Sequence, residues 1–405
     1  MARETLSSRK AVELLGIKEA TLYAYVSRGM IRSVDPEEGL DPRSRRYIAE
    51  DVYALMRRKS HRRDPARAAE DALDWGIPVL NSALTRIESG RLFYRGRDAV
   101  ALARTSTFEQ VAELLWLPAP QEALPFDSDA GIRPEAQSAG LWTLKRQPDE
   151  AAAIPTLAQL QANVGSAAAS DLRAYDTTVQ GTAATGRQII RLIADAIANY
   201  PSATSISTAL AARFKASPAV FDAVLILCAD HELNASSFTA RVVASTGADP
   251  YAVVSAAIAA LSGPKHGGSV LRVHALIEEA EPLGQPDATV LARVRRGEPI
   301  PGFGHVLYPD GDPRYNALMS IFSAEFASSP RFQLCQSLAD AATAVTGTAP
   351  NIDFALASLT YTLKQPAQLG AALFALGRAA GWIAHAIEQY SDGRLIRPRA
   401  RYIGD

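Results

Sequence analysis

The sequence predicts an all-α protein in which a small helical head precedes a large helical body. Three observations support this. From Ile77 onward, Ala-rich amphipathic stretches recur at 99–116, 157–172, 180–198, 205–215, 218–229, 250–261, 334–347, 354–363 and 367–390, and their period is that of helices burying one face. Few stretches alternate apolar and polar residues as strands do. Charge is split: residues 1–63 hold 14 Lys and Arg against 9 Asp and Glu, and the remainder holds 28 against 34. A basic head and an acidic body imply two pieces with different partners.

In the head, Ser8 is placed to cap a first helix with Ala11, Leu14 and Leu15 on one face, and Gly16 breaks it. Glu19–Ser27 reads as a second helix with Leu22, Tyr23 and Val26 at core spacing, stopped by Gly29. Helix, glycine turn and helix form the helix-turn-helix signal. Residues 33–46 contain Pro and Gly and end in Arg43, Arg45 and Arg46, which reads as a wing or loop. Residues 47–58 read as a third helix, leading into a basic run of Arg57, Arg58, Lys59, Arg62 and Arg63. Residues 64–77 are the expected linker, and 78–405 the body. The words SRKAVELLGIKEATLYAYVSRGMIRS and RRYIAEDVYALMRR resemble MerR-type winged helix-turn-helix heads. In such heads the second helix enters the major groove of DNA, and here that helix offers Lys18, Glu19, Thr21, Tyr25 and Arg28 to solvent. Two readings stand for residues 1–63: DNA binding, or a small domain kept for packing or protein contact.

Composition excludes several classes. The chain has 405 residues, 48% of them hydrophobic and 21% charged, with a formal net charge of -1, which suits an ordinary globular protein with a large core. Cys228 and Cys335 are too few and too far apart for a disulfide framework or metal cluster, so both are expected as buried free thiols. The N-terminus lacks a signal-peptide core, and the apolar stretch 256–261 ends at Ser262, Gly263, Pro264 and Lys265. A cytoplasmic protein without a membrane segment is therefore expected. Residues 118–155 are rich in Pro, Glu and Gln with weak periodicity, and read as a surface excursion.

The chemistry-bearing words lie in the second half. Of six histidines, His61 belongs to the basic run, while His231 in ADHELNAS, His266 in SGPKHGGS and His305 in PGFGHVLYPDGDPR sit in Gly- or Asp-rich contexts. Such contexts bring backbone close to a ligand and aim a side chain from a loop or helix start. No HExxH motif occurs, so no metal is expected. Gly302-Phe303-Gly304 lacks the third glycine of a dinucleotide fingerprint, and no phosphate-binding GxxxxGK[ST] or GxSxG elbow is present. Arg314, Arg378 and Arg397 each offer a bidentate contact to a carboxylate. By composition alone, Arg397 and Arg399 read as a solvated basic tail.

The words ADHELNASSFTARV, LSGPKHGG, PGFGHVLYPDGDPR, NIDFALASL, GRAAGWIAHAIEQ and RPRARYIG, in this order, resemble citrate synthases. IESGRLFYRGRDAVALARTSTFEQVAELLW is similar to that family's N-terminal region, so the resemblance spans roughly residues 78–405. It implies large and small helical domains, the small one about residues 265–360, and condensation of acetyl-CoA with oxaloacetate to citrate and free CoA. No cofactor is implied, since acetyl-CoA is a substrate. By this resemblance Asp353 is the base that takes the acetyl methyl proton. His266 hydrogen-bonds the thioester oxygen, and His305 polarises the oxaloacetate carbonyl and protonates the new alkoxide. His231, Arg314 and Arg378 cradle the oxaloacetate carboxylates. Arg397 is contributed by the other subunit of a homodimer, and Ile300, Gly302 and Gly304 form the loop whose backbone meets the CoA adenine.

The sequence also departs from the family. Cys228 stands where many members have a second histidine, three residues before His231. Val306-Leu307-Tyr308 replaces a common Arg-Val-Tyr, Pro309 sits where the CoA phosphates would meet a basic residue, and residues 119–178 lack the family's usual words. Two alternatives follow: a 2-methylcitrate synthase using propionyl-CoA, because one extra methyl is poorly discriminated, or a metabolite-sensing DNA-binding regulator with a synthase-like effector domain. A sensor needs the arginine cradle but not the base, so the intact set of Asp353, His266 and His305 weighs against the regulator.

Overall fold

The computed structural model describes residues 5–34, 45–49, 51–53, 55, 80–117, 153–199, 205–282 and 284–404. The chain divides into two units, Met1–Asn81 and Ser82–Asp405.

The first unit contains β1 (Thr5–Ser7), α1 (Ser8–Leu15), α2 (Glu19–Ser27), β2 (Ser33–Val34) and β3 (Arg46–Ile48). The strands form an antiparallel sheet in the order β1-β3-β2, with Leu6 and Ser33 both opposite Tyr47. The cap of α1 is Ser7, whose side chain accepts from Lys10 N–H at 3.3 Å, rather than Ser8. Gly16 ends the helix at φ 55°, a left-handed conformation natural to glycine. Ala11, Leu15, Leu22, Ile31, Tyr47, Val52 and Leu55 make a small core. Tyr23 is exposed, contrary to expectation, while Tyr25 is partly buried against that core. The expected third helix starts late because residues 46–48 pair as a strand, and Ala49, Asp51–Tyr53 and Leu55 are helical. Residues 35–44 of the expected wing, the basic run 57–63, with His61, and the linker 64–77 lie outside the described residues.

The second unit opens with a three-stranded antiparallel meander, β4 (Thr85–Glu88), β5 (Arg91–Tyr94) and β6 (Arg97–Asp98). Its two turns, Ser89-Gly90 and Arg95-Gly96, have positive φ throughout, as two-residue hairpins with the right-handed strand twist require. Among the described residues the fold is thus mostly helical with two small sheets. The helices are α3 (Ala99–Thr105), α4 (Phe108–Trp116), α5 (Leu157–Ala168), α6 (Val179–Ala198), α7 (Ile206–Phe214), α8 (Pro218–Cys228), α9 (Ala235–Ala244) and α10 (Pro250–Leu261). They continue with α11 (Ser269–Ala280), α12 (Pro286–Arg295), α13 (Pro313–Phe326), α14 (Pro330–Thr346), α15 (Ile352–Thr362) and α16 (Gln368–Asp392). Thr107 splits the expected 99–116 helix by capping α4 in a reciprocal box with Gln110. Most of the surface excursion, 118–152, lies outside the described residues.

Helix α16 is the spine of this unit. It is long and apolar enough to cross a membrane, but its apolar window is wholly buried in the fold, the mark of a core helix. It lies directly on the end of α8. A Cβ at Gly377 would come within 2.6 Å of the Leu225 carbonyl oxygen, and one at Gly381 within 2.3 Å of the Ala229 oxygen. These two glycines bring Arg378 beside the turn that carries His231. Cys228 and Cys335 are buried and free, as expected.

Candidate active site

His231 and His266 sit where a helix ends or begins, and His305 lies in a loop. His231 follows α8 in a turn closed by Asn234, whose Oδ1 caps α9 by accepting from Ser236 and Ser237 N–H, both at 3.1 Å. His266 lies in a tight turn before α11, with its N–H on the Gly263 carbonyl at 2.9 Å. His305 ends the loop through Gly302 and Gly304, at φ 84° and 78°. A side chain at Gly302 would meet Val273 at 2.7 Å, so this loop packs tightly against α11. Ile300 is partly buried against the core. Asp353 stands in the first turn of α15, which Asn351 caps.

The structure gathers these groups. The His231 and His305 rings are 4.9 Å apart, and Tyr308 lies 5.5 and 5.0 Å from them. His231 Nε2 and the Tyr308 hydroxyl are 3.0 Å apart. His305 Nδ1 accepts from Leu307 N–H at 3.1 Å, which puts the proton of a neutral ring on Nε2. His266 Nε2 is 2.9 Å from Ser236 Oγ, which also receives the Trp382 indole N–H at 3.1 Å.

Burial controls the protonation states. It pushes His266 and His305 down to about 4, with Arg378 acting on the first and Arg314 on the second in the same direction. His231 falls well below its ordinary range, through burial and then Arg314. The same desolvation raises Asp353 to about 6, against the opposing pull of Arg314 and a hydrogen bond with Ser269. Near neutral pH the site therefore offers three uncharged imidazoles and one carboxylate poised as a base.

The two buried arginines differ. Arg314 is bound fork-to-fork by Asp312, Nε to Oδ1 at 2.9 Å and Nη2 to Oδ2 at 2.7 Å, and Asp312 Oδ2 also accepts Ile352 N–H at 3.1 Å. Arg378 donates from Nε to the Cys228 carbonyl at 2.6 Å and lies 4.9 Å from the Phe374 ring centre. Among the described residues no carboxylate forms an ion pair with it. The buried carboxylate of Asp230 acts on Arg378 without binding its guanidinium, so the fork of Arg378, unlike that of Arg314, holds no carboxylate of the described chain and suits an anionic ligand. No cluster of metal-ligating side chains occurs among the described residues.

The chain has known relatives. The citrate synthase C-terminal domain model matches residues 72–399. The chain is 34% identical to a citrate synthase of Haloferax volcanii, over 82% of this chain and 94% of that one. It belongs to the citrate synthase family. It is also 29% identical, over 82% of its length and 94% of the relative's, to 2-methylcitrate synthase 2 of Corynebacterium glutamicum. Its fold is similar to the citrate synthase of Thermoplasma acidophilum solved in ternary complex with carboxymethyl coenzyme A and oxaloacetate, with TM-score 0.67 and 27% identity, over 81% of this chain and 94% of that one.

At the position of that departure from the family, Cys228 closes helix α8. Its side chain is fully buried against Gly377, its thiol is pushed up to about 12 by burial, and its carbonyl, rather than its sulfur, serves Arg378. Arg397 is the expected residue that the single chain does not bring to the cluster: it is exposed on the tail, which is tied back by Ile396 N–H to Ser245 Oγ at 3.1 Å and by Gln389 Nε2 to the Arg394 carbonyl at 2.8 Å. Tyr308, Asp312, Ser236 and Asn351 were missed from the sequence. All four lie inside the motif words, in HVLY, DGDPR, HELNAS and NIDF, and only their partners across the fold reveal their use. His385 faces Asp230 at 3.2 Å in the core, and His274 is buried within α11.

Proposed function

We propose that the chain condenses acetyl-CoA with oxaloacetate to give citrate and free CoA. The observation that carries this is the joining, in one buried site, of a carboxylate raised to about 6 at Asp353, uncharged His266 and His305, and an Arg378 guanidinium held by a backbone carbonyl. The acetyl methyl group is far less acidic than a carboxylic acid, so base and acid must act together. Asp353 takes the methyl proton while His266 donates a hydrogen bond to the thioester oxygen, with Ser236 holding its Nε2. The hydrogen-bonded enolate carbon attacks the oxaloacetate carbonyl, and His305 gives its Nε2 proton to the new alkoxide. Water then cleaves the citryl thioester, releasing CoA as the thiol. Arg378, Arg314 and His231 hold the oxaloacetate carboxylates. Ile300, Gly302 and Gly304 present backbone to the adenine of CoA, and closure of residues 265–360 over the site excludes water until condensation is complete.

The resemblance to a 2-methylcitrate synthase favours a second reading, with propionyl-CoA as donor. Thiol release measured with acetyl-CoA and with propionyl-CoA, each with and without oxaloacetate, decides: no oxaloacetate-dependent release from either thioester sinks both readings. The active species is read as a cytoplasmic homodimer with Arg397 reaching the partner's site. The head is read as a MerR-type DNA-binding domain acting through α2, on which Lys18, Glu19 and Arg28 are exposed. Duplex binding by the full chain that weakens steeply with salt is expected; its absence at low salt would leave the head as a packing or partner module.

A further inference from the structure

Asn351 has no role in the reaction described above, yet it touches both ends of the site. Its Oδ1 accepts from Asp353 N–H at 3.0 Å. Its Nδ2 donates to the Gly304 carbonyl, immediately before His305, also at 3.0 Å. Its own N–H donates to the Gly302 carbonyl at 2.9 Å, Gly304 N–H returns to the Ala349 carbonyl at 2.8 Å, and Phe303 bridges Pro350 between them. The loop that aims His305 is thereby zipped to the segment that starts the Asp353 helix. Capping that helix does not require an amide, since Ser, Thr or Asp would serve. A hydroxyl carries its donor and acceptor on one oxygen, whereas Asn among short side chains places them on two separate atoms, and here both are used, Oδ1 toward Asp353 and Nδ2 toward the Gly304 carbonyl before His305.

We propose that Asn351 is a positioning residue that fixes the base Asp353 relative to His305. This rests on the condensation reading: proton removal from the acyl methyl and polarisation of the acceptor carbonyl must occur at one separation for the new carbon–carbon bond to form. A displacement of about 1 Å between reacting groups costs on the order of a hundredfold in rate.

The test uses full-length Asn351→Ser, which keeps a capping oxygen but loses the second atom, Nδ2, that reaches the Gly304 carbonyl while the oxygen caps, beside Asn351→Ala, which loses both. Steady-state thiol release gives kcat and KM, the 13C resonance of the bound oxaloacetate keto carbon reports its polarisation, and melting reports the cap. For Asn351→Ser we expect melting near wild type, kcat lowered roughly 10- to 100-fold with KM for oxaloacetate within about threefold, and a keto resonance shifted toward that of free oxaloacetate. Asn351→Ala shows the same kinetic loss and melts lower. Wild-type kcat and resonance in Asn351→Ser, with loss only in Asn351→Ala, would reduce Asn351 to a helix cap and overturn the proposal. So would lost kcat with an unmoved resonance. If Asn351→Ser does not fold, Asn351→Asp, isosteric and still capping, is read by the same criteria. Failure of the wild-type chain to release thiol would instead count against the condensation reading, and the keto resonance of bound oxaloacetate still decides for or against Asn351.

Discussion

Arg32 in the head and Arg314 in the body hold carboxylates with nearly the same geometry. Arg32 meets Asp51 through Nε at 2.9 Å and Nη2 at 2.8 Å; Arg314 meets Asp312 through the same atoms at 2.9 and 2.7 Å. Their surroundings differ: in the head Arg32 is 55% and Asp51 17% exposed, whereas Arg314 and Asp312 are 3% and 0% exposed. In water such a pair contributes little and is screened by salt. In the desolvated body the same pair fixes a charge that moves the protonation of neighbouring groups, His231, His305 and Asp353 among them. Chemistry in this molecule follows burial, and any action of the head on a charged partner would work through exposed, salt-sensitive groups.

The largest expected effect tests whether the body's desolvated carboxylate does the work assigned to it. Asp353→Asn and Asp353→Ala should lower turnover by a factor on the order of 1,000 or more, roughly 4 kcal/mol of barrier, while oxaloacetate binding measured by calorimetry stays nearly unchanged. Turnover within about tenfold of wild type would show that another group is the base.

Removing Asp312 breaks the buried pair. Asp312→Ala strands the Arg314 guanidinium and deprives Ile352 N–H of its acceptor, so the body should lose about 3–5 kcal/mol of stability. A loss below about 1 kcal/mol by denaturant melting would mean that the pair is solvated like its counterpart in the head.

Arg397 is exposed in the single chain, so its assignment rests on a second copy. Arg397→Ala and His305→Ala should each be nearly inactive alone. Mixed with subunit exchange, they should recover about a quarter of wild-type activity, because half the dimers are hybrid and half the sites of a hybrid are intact. Exchange shown by mass spectrometry without recovered activity would place Arg397 outside the partner's site.

The pH profile is a milder probe of the same burial. Asp353 must be ionised to accept a proton, and its carboxyl is raised to about 6. As pH falls below that value, kcat/KM should drop about tenfold per unit, with a plateau above it. His266 and His305, held down to about 4, stay neutral throughout and add no further step above pH 5. An acid limb near 4, where ordinary aspartates titrate, would show that the site is wetter than its packing implies.

How much of this was legible in the sequence follows from the same contrast. Helical periodicity located most of the body because a buried face repeats every 3.6 residues. The β4–β6 meander escaped it because strands of two to four residues are too short for a period to register, although Ser89-Gly90 and Arg95-Gly96 marked its turns. In the head, Tyr23 and Tyr25 exchanged places because a helix of nine residues barely defines a face. The glycine-flanked histidines, Asp353 and two of the arginines came together as expected, since local motifs carry them. Asn351, Ser236 and Asp312 act through partners distant in sequence, such as Gly304, His266 and Ile352, and no local pattern encodes those pairings.

The smallest effect belongs to the head and closes the comparison on its weak side. Asp51→Ala removes the partner of Arg32 and the acceptor of Arg32 N–H, held at 2.8 Å. Because the guanidinium is already more than half exposed, water replaces most of what is lost, and the stability of the head should fall by no more than about 1 kcal/mol at low salt. That difference should shrink further between about 0.1 and 1 M salt, as the screening length falls from roughly 10 to 3 Å. Hydrogen exchange at the amides of Leu22 and Val52, both in the head's small core, follows this in the full chain without interference from the body. A loss above about 3 kcal/mol, insensitive to salt, would mean that Asp51 is as desolvated as Asp312. Exposure in the isolated chain would then misrepresent the head, and a partner surface covering the Arg32–Asp51 pair would have to be sought.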